Sequence, residues 1–534
     1  MNSDNIQGDL KMHGAQFLKT FLPGIILLPG SLILASCGGG GGGAPAATPP
    51  PIQTPPVVSS FARYLDINNN GVNDINDQII VPFDQAVAIT SVSSNDFSLP
   101  VTGDTFGSGA TVISGPAVNE VTIILGSSPR IKTAQDFSAS QTATGSSTGI
   151  DVAATLPSGA ITSVSGVDAK FSAPVDLIPA FVDSLQSLGN NNSLSVVLGD
   201  VDGDQDLDLV VANDGDQANR VYINNLNNNG PGVFTDSGQS LGANDSRSVV
   251  LGDVDGDTYL DIVVANYIEG NQVYLNDAKG SGNFSAFGSG IGKAASTSIA
   301  LGDVDGDVGL NRKKDLDLVV ANLSQGNQVF NNNGQGVFTD DTQQFLGLNI
   351  TLSVVLGDVD GDQYLDMVVA NANKKGNLIY INNGNGFFTD SGQLLGVGKS
   401  SLDVALGDID GDTDLDIVVV NSGEGNRVHL NNGSGVFTDA GQSLGENVSF
   451  SVALGDIDND GDLDMVVANG ANQGDRIYIN DGSGAFTDSG QSLGNDNDYS
   501  IALGDIDGDG DLDIVVANYD GANKVYLNSL TAPP

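Results

Sequence analysis

Ser248-Val249-Val250-Leu251-Gly252-Asp253-Val254-Asp255-Gly256-Asp257-Thr258-Tyr259-Leu260-Asp261-Ile262-Val263-Val264-Ala265-Asn266 decides the fold of this chain. Two short apolar runs, rich in β-branched residues, flank a loop in which alternate residues are acidic. That is the pattern of two strands joined by a charged hairpin. The central word Leu-Gly-Asp-Val/Ile-Asp recurs along the chain. Its first Asp falls at Asp200, Asp253, Asp303, Asp358, Asp408, Asp456 and Asp505, in steps of 53, 50, 55, 50, 48 and 49 residues.

Each repeat holds four strand-like pieces. In the second these are Ser248 to Leu251, Leu260 to Ala265, Gln272 to Leu275 and a short piece around Phe284. Turns at Asn382-Asn383-Gly384, Asn431-Asn432-Gly433 and Asn480-Asp481-Gly482 supply the positive φ that hairpins need. Four strands per unit, repeated in tandem, read as all-β: a seven-bladed β-propeller over residues 178–534. The first six units end in a strand such as Val233-Phe234-Thr235-Asp236, whereas the seventh stops after Val525-Tyr526-Leu527-Asn528. The early segment Phe181-Val182-Asp183-Ser184 matches the missing piece, so it is expected to complete the last blade and leave no sheet edge unpaired.

The rest of the chain divides by composition. Lys11 and Lys19 precede an apolar stretch from Phe21 to Leu34, which ends in Leu34-Ala35-Ser36-Cys37. This reads as a signal peptide over 1–36 with a lipobox, Cys37 being the lipidated residue that holds an exported protein to a bacterial outer membrane or cell surface. Residues 37–57 are Gly- and Pro-rich and read as a tether. Residues 58–177 alternate apolar and polar positions, as in Ile79 to Phe83 and Val118 to Leu125, and read as a smaller immunoglobulin-like β-sandwich domain. Cys37 is the single cysteine, so neither an intrachain disulfide nor an all-thiolate zinc site can be built.

Sixty-six acidic residues against nineteen basic ones give a net charge of -47, which repels nucleic acid and makes cations the natural partners. The acids are concentrated in the hairpins between first and second strands. The loops carry Asp200, Asp202, Asp204 and Asp208; Asp253, Asp255, Asp257 and Asp261; Asp303, Asp305, Asp307 and Asp317; and Asp358, Asp360, Asp362 and Asp366. The later three carry Asp408, Asp410, Asp412 and Asp416; Asp456, Asp458, Asp460 and Asp464; and Asp505, Asp507, Asp509 and Asp513. Carboxylates at positions one, three, five and nine, with the backbone carbonyl at position seven, make a hard-cation cage suited to calcium. The third loop is lengthened by Val308 to Lys314, which brings Arg312, Lys313 and Lys314 beside it, so this site is expected to be the weakest. Asp66, Asn68, Asn70, Asp74 and Asp77, around Gly71, offer a further oxygen-rich loop for calcium in the N-terminal domain.

Repeated Asp-x-Asp-Gly-Asp-x-x-Leu-Asp leading into Ile-Val-Val-Ala-Asn resembles the FG-GAP or VCBS repeats of integrin α-chain propellers and of many bacterial surface proteins. The resemblance covers residues 181–528. It implies a propeller with calcium in the first hairpin of a blade, held by the four Asp of each unit.

Nucleophilic chemistry has little to work with, since the chain has two histidines, His13 in the signal and His429. His429 occupies a slot filled elsewhere by Tyr222, Tyr274, Phe330, Tyr380, Tyr478 and Tyr526, which marks it as a core substitution. The expected function is therefore a calcium-binding, non-catalytic binding or adhesion module with a protein or glycan ligand. The alternatives are a lectin-like or polysaccharide-processing surface protein, and a structural calcium-stabilised protein without a ligand. The ligand face is placed on the variable turns between second and third strands, at Tyr267, Glu269, Lys374, Lys375 and Tyr519.

Overall fold

The computed structural model describes residues 55–528 apart from 60, 68–74, 91, 100–104, 131–149, 153–159, 164–168, 170–176, 227–231, 277–281, 307–314, 341–343 and 345. The signal, Cys37 and most of the tether lie outside the described residues.

Among the described residues there are seven four-stranded antiparallel sheets. The first consists of Ser193–Gly199, Asp208–Asn213, Arg220–Asn224 and Phe234–Asp236, in that order. Every residue of each second strand is buried, Asp208–Asn213 and Asp261–Asn266 among them. A strand packed between neighbouring sheets on both faces needs a continuous apolar run, and Leu-Val-Val-Ala or Ile-Val-Val-Ala supplies it. In the second sheet the outermost strand runs over Phe284–Ile291, longer than the short piece read from sequence.

The sheets follow one another in a ring, and two features of the repeat show why. The Gly ending each first strand faces leucines of the next sheet: a Cβ on Gly199 would lie 2.6 Å from Leu251 Cδ1 and 3.0 Å from Leu260 Cδ1. The same glycine in the last sheet, Gly504, faces Leu207 at 2.6 Å and Leu198 at 3.0 Å in the first. Leu-Gly in the repeated word is thus a knob and the hole for its neighbour. The Asn ending each third strand also donates its side-chain amide to a loop carbonyl of the preceding sheet: Asn276 to Val201 at 2.7 Å, Asn332 to Val254 at 2.8 Å, and Asn528 to Ile457 at 3.1 Å.

The seventh sheet takes its outer strand from the beginning of the ring. Val182–Asp183 pairs antiparallel with the strand Lys524–Leu527, with Val182 opposite Leu527 and Asp183 opposite Tyr526. Gln491 fixes the approach to this strand, its Nε2 donating to Pro179 O at 2.9 Å and its Oε1 accepting from Phe181 N at 3.2 Å. Gln239, Gln344, Gln393 and Gln442 make the same two-bond clasp onto the outer strand of the following sheet, for example Gln239 to Gly282 O and from Phe284 N.

The N-terminal region contains a five-stranded sheet in the order Thr111–Ser114, Glu120–Ile124, Gln78–Pro82, Ala62–Leu65, Leu177–Pro179, the last pair parallel. Two two-stranded pairs, Val87–Ile89 with Ile161–Ser163 and Phe97–Ser98 with Asp151–Val152, accompany it. Tyr64, Ile79, Val81, Phe83, Val121 and Ile123 from the sheet share one core with Phe97, Ile150 and Ile161. Leu177–Pro179 ends this sheet, and three residues later, at Val182, the same segment closes the ring.

Candidate metal centres

Each acidic hairpin is built from the strand ends inward. The ninth-position Asp opens the second strand and is pinned there by two backbone amides. Asp208 Oδ2 accepts from Val201 N and Oδ1 from Asn224 N, both at 2.9 Å. Asp261 and Asp513 repeat this with Val254 and Asn276, and with Ile506 and Asn528. The first-position Asp folds the loop over itself, Asp200 Oδ1 accepting from Gly203 N at 2.7 Å and Oδ2 from Gln205 N at 3.0 Å. Gly203 has φ 84° and Gln205 φ 78°, a left-handed path that the Asp hydrogen bonds hold in place.

This folding brings acids at positions one, three and nine together. Carboxylate oxygens of Asp200, Asp202 and Asp208 lie within 4.8 Å of one another, as do those of Asp253, Asp255 and Asp261; Asp303, Asp305 and Asp317; Asp358, Asp360 and Asp366; and Asp408, Asp410 and Asp416. The fifth-position acids are not members of these triads. Asp204 Oδ1 accepts from Asp206 N, Asp257 Oδ1 from Tyr259 N, and Asp362 Oδ1 from Tyr364 N, each closing a local turn, as the third-position Asp202, Asp255 and Asp360 also do with the amides two residues on. The third loop forms its triad across the inserted segment, while Asp307, Arg312, Lys313 and Lys314 lie outside the described residues.

The electrostatics are those of sites that want a cation. Burial pushes Asp208, Asp261 and Asp317 up to about 7, and Asp464 and Asp513 up to about 8, despite the backbone amides that favour their charged forms. The neighbouring loop carboxylates push the same way, as Asp202 and Asp204 do on Asp208. Asp408 Oδ1, Asp410 Oδ1 and Asp458 Oδ1 are buried oxygens with no hydrogen-bond donor. Convergent carboxylates with unused lone pairs fit a hard, oxygen-seeking metal ion.

In the N-terminal domain Asp77 is fully buried and anchors the chain, accepting from Tyr64 Oη at 2.7 Å and Ile67 N at 3.1 Å. Asp66 is also buried, and Asn68, Asn70 and Asp74 lie outside the described residues.

The opposite face corrects part of the sequence reading. Glu269, Lys374 and Lys375 are exposed, but Tyr267 and Tyr519 are 7% and 4% exposed. Each follows directly on a second strand, so its ring turns inward to the axis instead of outward with the turn. Arg247 lies over the Tyr267 ring at 5.2 Å and pairs with Asp214 at 3.2 Å, while Tyr519 Oη donates to Asp214 at 3.4 Å. Tyr499 stacks on Phe450 with ring centroids 4.1 Å apart. Ile350 and Leu352 pack against Tyr267 and Leu323 on one side and against Ala372 and Leu402 on the other, where Phe450 packs as well. Side chains from several sheets therefore fill the axis at this end. The second residue of the first strand, at Arg247, Phe450 and Tyr499, was the available signal: charged or aromatic where other sheets have Leu194, Thr297, Leu352 and Leu402. His429 is 3% exposed, and burial lowers its affinity for a proton, as suits a core residue.

A family model described as FG-GAP-like repeat matches residues 200–264, 253–308, 310–369, 358–419, 408–467 and 456–516. No curated protein matches the chain. Similar solved structures include BBS1N in complex with ARL6DN, at 12% identity over 66% of this chain and 98% of that one, with a TM-score of 0.47. The extracellular domain of the putative hybrid two component system BT4673 from B. thetaiotaomicron is similar at 14% identity over 65% of this chain and 39% of that one, TM-score 0.42. YCF48 from Cyanidioschyzon merolae is similar at 14% identity over 65% and 98%, TM-score 0.43.

Proposed function

Since the chain belongs to the FG-GAP-like repeat family, we propose that it is a calcium-binding, non-catalytic surface module carried on a lipid anchor at Cys37. The observation that supports this reading is the recurrence of one carboxylate triad in successive hairpins, at Asp200, Asp202 and Asp208 and its equivalents. Calcium takes about six to eight oxygens, and the first, third and ninth aspartates of each hairpin would hold it. The fifth-position acid and the position-seven carbonyl are the remaining oxygen donors. A bound ion would neutralise carboxylates that burial otherwise drives toward protonation, and would tie the first strand of a sheet to its second.

The ligand is assigned to the face opposite the hairpins, where Glu269, Lys374 and Lys375 stand exposed on turns whose sequences differ from sheet to sheet. Burial withdraws Tyr267 and Tyr519, two rings of that face on which a sugar could have stacked, which favours a protein ligand over a glycan.

Metal counting on the dialysed protein, with calorimetric unfolding in calcium and in chelator, tests the metal half. Bound calcium and a large calcium-dependent rise in melting temperature are expected; no bound metal and no shift would reject it. Replacing the turns that carry Glu269, Lys374 and Lys375 should abolish cell adhesion, and undiminished adhesion would remove the ligand assignment.

A further inference from the structure

Behind the face opposite the hairpins, neighbouring sheets are joined through a repeated pair of small polar residues. At two junctions the Asn that opens the third strand of one sheet donates to the Ser that opens the first strand of the next. Asn219 Nδ2 donates to Ser246 Oγ at 3.0 Å, and Asn426 Nδ2 to Ser449 Oγ at 3.1 Å. The hydroxyl passes the bond on to the Asn ending its own second strand: Ser246 to Asn266 Oδ1 and Ser449 to Asn469 Oδ1, both at 2.9 Å.

Between the sixth and seventh sheets both partners are replaced. Asp475 stands where the other units have Asn219, Asn271, Asn327, Asn377, Asn426 and Asn523. Asp498 stands where they have Ser193, Ser246, Ser296, Thr351, Ser401 and Ser449. Asp475 is fully buried and Asp498 is 3% exposed. Asp475 Oδ1 still accepts from Asn469 N at 2.8 Å, as the asparagines do in their own sheets, but its Oδ2 has no donor. Two ionised carboxylates placed at the spacing of an Asn–Ser hydrogen bond repel, in a setting where water cannot screen them.

The neighbouring amide shows how the conflict is resolved. In the other sheets the Asn ending the second strand turns its Nδ2 to a backbone carbonyl, as Asn213 does to Ala218 and Asn469 to Gly474. Asn518 is turned the other way, its Oδ1 accepting from Asp520 N at 3.0 Å and its amide group serving Asp498 as a donor. Asp498 is thus furnished as the acceptor, which leaves Asp475 to carry the proton. Burial is the largest influence raising Asp475, with Asp498 and Asp496 adding to it; burial and Asp496 raise Asp498 to about 7. The charged and titratable groups facing the pair are Asp496, which Lys524 neutralises at 2.5 Å, and Asp183 and Tyr526 from the strand pair that closes the ring.

We propose that Asp475 and Asp498 share one proton, Asp475 Oδ2–H donating to Asp498, and that this pair is a pH-operated joint beside the closing strand. An ion in place of the proton is disfavoured, because the two side chains are hydrogen-bonded to each other and Lys524 already supplies the local positive charge. Loss of the proton to solvent leaves two buried like charges and loosens the sixth sheet from the seventh.

The test uses the full chain in saturating calcium, so that the hairpin acids are held ionised. Asp475→Asn restores the residue found in the other units, and Asp498→Ser restores the other partner. The melting temperature of the unmodified protein should fall between about pH 5 and about pH 8.5 by about 2–4 °C more than that of either variant. At neutral pH the infrared C=O band of a protonated carboxylic acid should be present, and it should be lost in Asp475→Asn. Equal pH slopes in all three proteins, or no such band, would overturn the proposal. So would the loss of one bound calcium in either variant, which would show that the pair holds a metal.

Discussion

The side-chain amide of Asn224 lies 2.8 Å from the carbonyl oxygen of Ile506, although 282 positions of chain separate them. The bond crosses from the first sheet to the seventh and is the same bond that joins every other neighbouring pair. Replacing Asn224 by Ala leaves a buried carbonyl unpaired and should cost about 1–3 kcal/mol. The loss is measurable as a lower midpoint of chemical unfolding.

The closing strand should matter more than its two residues suggest. Removing residues 178–190 deletes Val182–Asp183 and exposes the edge Lys524–Leu527, so the melting temperature should fall sharply. Gln491→Ala removes two hydrogen bonds to the approach of that strand and should reproduce part of the loss, about 1–2 kcal/mol. An unchanged melt after the deletion would show that the ring closes without it.

Calcium and pH should be linked, with a definite sign. In the metal-free protein Asp208 and Asp261 are raised to about 7 and Asp464 and Asp513 to about 8, so the native state holds protons that the unfolded chain releases near pH 4. That contribution is fully present below the ordinary Asp range and is lost as pH climbs through 7 to 8. The melting temperature in chelator should therefore fall over this window. Calcium, which must displace those protons, should stabilise more at about pH 8.5 than at about pH 6. Paired melts across pH would show whether the two curves diverge as expected.

One sheet junction can be improved. The clasping Gln lies five residues after the strand-opening Phe in Phe234 to Gln239, Phe388 to Gln393 and Phe437 to Gln442, whereas Phe284 is followed at that spacing by the exposed Ser289. Ser289→Gln should install the clasp onto the third sheet and raise stability by about 0.5–1.5 kcal/mol, read from denaturant unfolding.

The repeated Leu-Gly-Asp-Val/Ile-Asp word made the four-stranded units and the acidic hairpins legible, because strand alternation, turn chemistry and charge all change together at those residues. What stayed hidden depends on direction. Tyr267 reads as a loop aromatic, yet one residue of register past the strand end turns it to the axis. Asp202 and Asp204 read alike, and each does accept from the amide two residues on. Asp475 and Asp498 lie 23 residues apart and each is an ordinary acid in isolation; their conflict is visible only when the sheets are laid side by side.

The chain enters the ring at the strand that closes it. A pull applied to the N-terminal region therefore reaches Val182–Asp183, the shortest strand of its sheet, by way of Ile178, which packs among residues of the sixth and seventh sheets. Under tension this strand acts as a mechanical fuse. Gln491 holds the segment just ahead of it, and each of the other sheets draws its four strands from one continuous stretch of chain.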